Sequence, residues 1–138
     1  MRSIVRRACA LAATAGIGAA SLVATAAPAT AAATYNGACG DGYAVVNSVD
    51  LSADRGTVFL TYNNANGYNC VATVRTVPGG ATLMEAMLRA SGTSGWNTDS
   101  GDYTTYAGPV YVHAAGRCVD WGGTIGTDTR IIEGTNCG

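Results

Sequence analysis

Between Tyr43 and Glu133 the chain breaks into short stretches of apolar and β-branched residues separated by glycine, asparagine, serine and threonine. Tyr43-Ala-Val-Val-Asn-Ser-Val49, Thr57-Val-Phe-Leu-Thr-Tyr62 and Tyr68-Asn-Cys-Val-Ala-Thr-Val-Arg-Thr-Val77 have the length and the branched and aromatic content that suit a pleated surface. The last two flank Asn63-Asn-Ala-Asn-Gly67, whose Asn66-Gly67 pair tolerates the positive φ of a tight reversal, so this spacing predicts a β-hairpin. Alternation puts Val58, Leu60 and Tyr62 on one face of it, with Cys70 near the turn end of the returning strand.

Thr82-Leu-Met-Glu-Ala-Met-Leu-Arg-Ala90 fits two periods. Its residues are good helix formers with Leu83, Met84, Met87 and Leu88 on one stripe. As a strand it would set Met84, Ala86, Leu88 and Ala90 against Leu83, Glu85, Met87 and Arg89, and the bracketing Pro78-Gly-Gly80 and Gly92-Thr-Ser-Gly95 cut it to strand length, which favours β. Tyr103–Tyr106, Pro109–His113, Arg117–Trp121 and Arg130–Glu133 follow as further short strands. Seven or eight such strands, with no internal repeat and no linker, predict an all-β domain: a small antiparallel β-sandwich or barrel.

The opening is different. Met1-Arg-Ser-Ile-Val-Arg-Arg7 is basic, residues 8–27 are uncharged and rich in Ala, and Ala29-x-Ala31 and Ala31-x-Ala33 both satisfy the small-x-small rule of signal peptidase. Residues 1–33 are therefore expected to be a signal peptide and residues 34–138 a single secreted β domain with no membrane attachment after cleavage. A retained anchor is the competing reading of residues 8–27, but Ala, Gly and Thr outnumber Leu and Ile there.

Loss of the leader removes three of the eight arginines and none of the nine carboxylates, and the chain has no lysine. With no basic patch to neutralise phosphates, nucleic acid is not an expected partner. Cys39, Cys70, Cys118 and Cys137 remain, an even set in an exported chain, which predicts two disulfides. Pairing of sequence neighbours around strand-turn units gives Cys39 with Cys70 and Cys118 with Cys137. No C-x-x-C pair is present and the lone histidine is not spaced as a ligand, so zinc is not expected.

Little else in the chain points to chemistry. His113 is the single histidine, it sits in an alternating strand, and no G-x-S-x-G elbow or free mature cysteine accompanies it, so a plain strand position is expected. Asn97-Thr-Asp-Ser-Gly-Asp102 has calcium-loop oxygens without the distal bidentate glutamate, and a hairpin turn is the expected reading. Asp99, Asp102, Asp120 and Glu133 would be the carboxylates for glycoside hydrolysis, a chemistry that needs a fixed separation across a cleft. Seven tyrosines and two tryptophans are the remaining feature. Tyr62, Tyr68, Tyr111 and Trp121 fall in strands and are expected to pack, whereas Trp96 in its Gly/Ser-rich turn is expected to be exposed. No catalytic residue, cofactor site or metal site is predicted.

Thr34-Tyr-Asn-Gly-Ala-Cys-Gly-Asp-Gly-Tyr43, Val58-Phe-Leu-Thr-Tyr-Asn63, Asn66-Gly-Tyr-Asn-Cys70, Asp99-Ser-Gly-Asp-Tyr-Thr-Thr-Tyr-Ala-Gly-Pro-Val-Tyr-Val112, Gly116-Arg-Cys-Val-Asp-Trp-Gly-Gly123 and the terminal Asn136-Cys-Gly138 resemble the spore-associated protein A family of Streptomyces-type actinomycetes. The resemblance implies an exported, extracellular protein of the spore surface; it brings no catalytic residues, and it supports β structure at Leu83–Ala90. The leading functional expectation is thus a non-enzymatic protein acting on the spore or cell-wall surface by adsorption or by self-association. An inhibitor of an extracellular protease or amylase, presenting the Cys118–Cys137 segment as a rigid loop, is the alternative. A small extracellular hydrolase or sugar-binding module using His113 and the carboxylates is the third.

Overall fold

A computed structural model of the chain describes residues 16, 18–26 and 32–138. Most of the expected signal peptide, including Ala29 and Ala31 of the cleavage sites, lies outside these residues. The domain is built from β1 (Ala44–Asp50), β2 (Gly56–Asn63), β3 (Tyr68–Arg75), β4 (Thr82–Ala90), β5 (Asn97–Tyr103), β6 (Tyr106–His113), β7 (Val119–Ile125) and β8 (Asp128–Thr135), with one 3-10 turn at Ser52–Asp54. Two four-stranded sheets, ordered β1-β2-β3-β6 and β5-β4-β7-β8, are antiparallel throughout. The architecture is therefore the sandwich of the two expected alternatives.

Thr82–Ala90 is a strand with the predicted alternation: Met84, Ala86, Leu88 and Ala90 are buried in the core while Leu83, Glu85 and Arg89 are not, and Met87, on the outer face with them, is buried as well. The β2–β3 hairpin also forms as expected, with Gly67 alone taking the positive φ, at 74°. Asn63 organises the turn: its carbonyl accepts from the Gly67 N–H at 2.9 Å and its Oδ1 from the Ala65 N–H at 2.9 Å.

Two expectations fail in one place. Asn97–Asp102 is not a turn but most of β5, and Tyr103–Tyr106 is not one strand: Tyr103 ends β5, Tyr106 begins β6, and Thr104 and Thr105 form the bend between them. β5 is an edge strand with Thr98, Ser100 and Asp102 exposed, so its composition is polar because one face is wet and its edge is unpaired.

Val58, Leu60, Val71, Met84, Leu88, Val119 and Trp121 form the centre of the core, each fully out of solvent. The indole N–H of Trp121 donates to Thr135 Oγ1 at 2.9 Å, so the one polar atom on the largest buried ring is satisfied. β7 is buried along its whole length. Gly123 lets the sheets close on it: a Cβ there would lie 2.0 Å from Thr73 Oγ1 and 2.9 Å from Val58 Cγ2. Through that space the Thr73 hydroxyl crosses from the first sheet to donate to the Glu85 carbonyl of the second at 2.7 Å.

A third layer covers the first sheet from outside. Phe59, Ala72 and Val74 point away from the main core yet are buried, because the chain from Ala33 to Ala38 lies over them, with Tyr35 against Phe59 at 5.6 Å between ring centroids. The Cys39–Cys70 disulfide fastens this strap to β3, and Cys118–Cys137 closes the base of the β7–β8 hairpin, so both expected pairings hold. Loop-closure entropy assigns each about 3–4 kcal/mol.

Gly123→Ala should lower stability by about 2–4 kcal/mol, from overpacking plus the displaced Thr73 hydrogen bond. Thr73→Ala in the same chain should return part of that loss, since it removes the atom the new methyl meets first. Urea midpoints of the two single variants and the double variant measure the coupling; strict additivity would show that Thr73 is not what Gly123 accommodates.

Candidate functional site

Of the four carboxylates offered by the sequence, Asp120 and Glu133 come together around Arg89, and Asp99 does not join them. In the β4 register Asp99 lies opposite the core residue Ala86, while Asp120 lies opposite the outward Arg89, so the two sit on opposite faces of the second sheet. Each instead accepts the N–H of a glycine in a β-bulge. The β3–β6 register slips by one residue at Gly108, φ 100°, whose N–H donates to Asp99 Oδ2 at 2.7 Å. The β7–β8 register slips at Gly134, φ 66°, whose N–H donates to Asp120 Oδ1 at 3.0 Å. A bulge leaves a backbone group without a ladder partner, and these carboxylates supply one.

The other oxygen of Asp99 accepts from Tyr103 Oη at 2.6 Å, and this bond holds the Tyr103 hydroxyl above its usual pKa. A surface depression of about 340 Å³ between β5 and β6 contains both groups, but Asp99 enters it with both oxygens already engaged. Asp102 is exposed.

Asp120 is the centre of a charged cluster on the outer face of β4, β7 and β8. Arg89 Nε donates to its Oδ2 at 2.9 Å and Ser91 Oγ to its Oδ1 at 2.6 Å, while Arg89 Nη2 reaches Glu133 at 3.4 Å. Burial by itself would raise the Asp120 pKa; the donors Ser91, Gly134 and Arg89 outweigh it and hold the carboxyl below the usual range. Trp96 is half-buried rather than exposed, because the Arg89 guanidinium stacks 4.3 Å from its ring centre. General acid catalysis on a glycoside needs a carboxyl with a raised pKa, and this cluster instead maintains a fixed negative charge.

What the structure does gather is aromatic. Tyr68, Tyr111 and His113 project from the outer face of β3 and β6 beyond the end of the strap, with Tyr68 directly across from His113. Tyr68 and Tyr111 are 39% and 42% exposed, so they stay out of the core, and the packing expected of them is against His113 and Tyr43 instead. Trp121 is fully buried and Tyr62 half-buried, as expected. Alternation alone assigns residues to one face or the other without saying which face is wet, and Tyr68 and Tyr111 fall on the wet one.

The rings hold one another. Tyr43 meets Tyr111 edge-on at 5.6 Å and Tyr68 meets His113 edge-on at 5.2 Å. Tyr111 Oη donates to the Cys39 carbonyl at 2.9 Å, and burial of that hydroxyl, with Tyr43 and Tyr35 near it, raises its pKa. His113 is an exposed strand residue in this ledge, and its ring lies 2.9 Å from where a Gly67 side chain would begin. Pinned rings lose little entropy on contact, so the ledge is suited to covering apolar faces such as the C–H face of a sugar ring. The Cys118–Cys137 segment, expected as a loop for an inhibitor, is instead the β7–β8 hairpin with a tight turn at Gly126.

Among known proteins the chain is similar to "Spore-associated protein A" of Streptomyces coelicolor, with 51% identity over 113 residues, 82% of this chain and 73% of that protein. No family model matches the chain, and no solved structure does.

Asp120→Ala should cost about 2–4 kcal/mol, because it strands Arg89, the Ser91 hydroxyl and the Gly134 N–H together. Its pH signature follows from the lowered pKa: the stabilisation is complete above the unfolded carboxyl range, near pH 4–5, and is lost as pH falls through the lower folded value. Urea midpoints from pH 7 to pH 2 should therefore converge for wild type and variant at the acid end. A gap that stays constant with pH would assign the loss to packing rather than to charge.

Proposed function

Since the chain belongs to the spore-associated protein A family, we propose that it is an exported, non-enzymatic protein that adheres to the spore or cell-wall surface through the aromatic ledge of Tyr43, Tyr68, Tyr111 and His113. The observation that carries this reading is the pair of mutually pinned ring contacts, Tyr68 with His113 and Tyr43 with Tyr111, in which Tyr68, Tyr111 and His113 are exposed. Export is supported by the basic and Ala-rich opening, the small-x-small sites, and two disulfides, which persist in oxidising compartments. A surface protein outside the cell meets polysaccharide, and a ring that covers an apolar sugar face removes apolar area from water at about 25 cal/mol per Å².

Attachment needs no proton donor and no nucleophile. His113 contributes its ring beside Tyr68. Self-association through the same rings would produce a similar adherent layer, and sedimentation of the purified domain separates the two modes.

The test is retention of the purified domain on insoluble spore and cell-wall material. Tyr68→Ser combined with Tyr111→Ser should reduce retention about tenfold, as expected for two stacking rings. His113→Ala alone should leave stability within about 0.5 kcal/mol, as for other surface changes, and retention within about threefold. Unchanged retention of the double tyrosine variant, with its disulfides intact, would overturn the reading. A normally folded His113→Ala variant that had lost all function would point to chemistry at the histidine.

A further inference from the structure

The end of the sandwich farthest from the ledge carries a second feature. Gly56 pairs with Arg75 at one end of the β2–β3 hairpin and Asn63 with Tyr68 at the other, a separation of roughly 24 Å at about 3.4 Å per residue. At the Gly56 end, Arg55, Arg75, Val77, Thr82, Ile125 and Gly126 line a surface pocket of about 280 Å³. Among the described residues the ion pairs are formed by Arg89 and Arg130, and neither Arg55 nor Arg75 has a carboxylate partner. Two of the five arginines in a domain with nine carboxylates thus face one hollow unpaired.

Their placement is fixed by backbone. Arg75 Nη1 donates to the carbonyls of Gly80 at 2.8 Å and Thr104 at 3.3 Å, and Arg55 Nη1 to the Ile125 carbonyl at 3.2 Å. Each guanidinium rests against a glycine: a side chain at Gly79 would begin 2.6 Å from Arg75 Nη2, and one at Gly126 would begin 2.9 Å from Arg55 Nη1. A guanidinium has five N–H donors, and these bonds use only the Nη1 group of each, so the rest of each fork has no protein acceptor. Asp128 feels the charge of Arg55 but is held by the Ser52 hydroxyl and N–H. Thr82 adds a hydroxyl to the lining, and the buried Ile125 with the exposed Val77 adds an apolar wall.

We infer that this pocket binds an oxyanion, a carboxylate or a phosphate group, gripped by Arg55 and Arg75 with its carbon substituent against Val77 and Ile125. Planar forks with free parallel donors match such groups, and pre-set side chains lose less entropy on binding than mobile ones. On a surface polymer the site would be a second, charge-based contact at the opposite end of the domain from the ledge.

Titration of the folded domain with sodium phosphate and, separately, sodium acetate, followed by amide shifts in NMR, tests this with sodium chloride at matched ionic strength as reference. Saturable shifts are expected at Thr76, Val77 and Gly126. Saturation by phosphate alone would assign a phosphate-bearing ligand, saturation by acetate alone a carboxylate, and saturation by both the shared oxyanion chemistry. Arg55→Gln should weaken binding at least tenfold with the rest of the spectrum unchanged, and Arg75→Gln should do the same. Because Arg75 also ties Gly80 to Thr104, the Arg55 variant is decisive if the other is perturbed. Shifts that grow linearly, match those in chloride, or persist in Arg55→Gln would overturn the assignment. Ledge variants should leave these shifts unchanged, so the site stands or falls independently of the attachment reading.

Discussion

The outward side chains of Phe59, Ala72 and Val74 make one face of the first sheet apolar where a two-layer sandwich would leave it wet, and that face has to be covered. The strap from Ala33 to Cys39 exists to meet this requirement, and the Cys39–Cys70 disulfide keeps it in place. A segment this short could not hold itself there by one ring and a few alanines, since ordering each residue costs about 1–2 kcal/mol of backbone entropy. The same strap then sets the ledge. Its last carbonyl anchors the Tyr111 hydroxyl, and the chain leaving it delivers Tyr43 to the Tyr111 ring. The fold's need to bury one apolar patch and the proposed surface contact are served by the same short strap.

The interior achieves its stability by close approach rather than by size. Gly122 and Gly123 place bare backbone where neighbouring strands would otherwise meet side chains: a Cβ on Gly122 would lie 2.2 Å from the Arg130 carbonyl. Trp121 fills the volume beside them, and Thr73 joins the two sheets through the gap. At the margins Asp99 and Asp120 complete the hydrogen bonding of two bulges. Two of the four carboxylates that sequence alone offered as reagents are structural acceptors, which explains how a small domain keeps two irregular strands in register.

Most of the fold was legible because β-branched runs, an Asn-Gly turn and an even cysteine set each carry a local physical meaning. Thr82–Ala90 was legible as a strand through its brackets and its alternation, although its residues favour helix. The β5 strand was not, because Asn97-Thr-Asp-Ser-Gly-Asp102 has the composition of a turn and becomes a strand only by pairing with β4. The ledge was half legible: the tyrosines were evident, but exposure depends on where the strap stops, a long-range fact. The paired arginines had no sequence signal at all, since Arg55 and Arg75 are twenty residues apart and meet only because β2 and β3 are antiparallel.

The four strand edges bear on how such a protein would meet a surface. An unpaired edge is a template for another strand unless something interrupts it. Here β1 carries a bulge between Val45 and Asn47, and β6 carries one at Gly108 followed by Pro109, which has no N–H to give. On β5 the carboxylate of Asp99 points inward beside the bend, and β8 is bulged at Gly134 with Arg130 opposite the inward Gly123. Each edge therefore holds a feature that opposes continuous pairing, even though Val45, Val46 and Ile131 are exposed. Side-chain contact through pinned rings meets no such obstacle, and this asymmetry favours adsorption over edge-to-edge assembly in the attachment proposed for the domain.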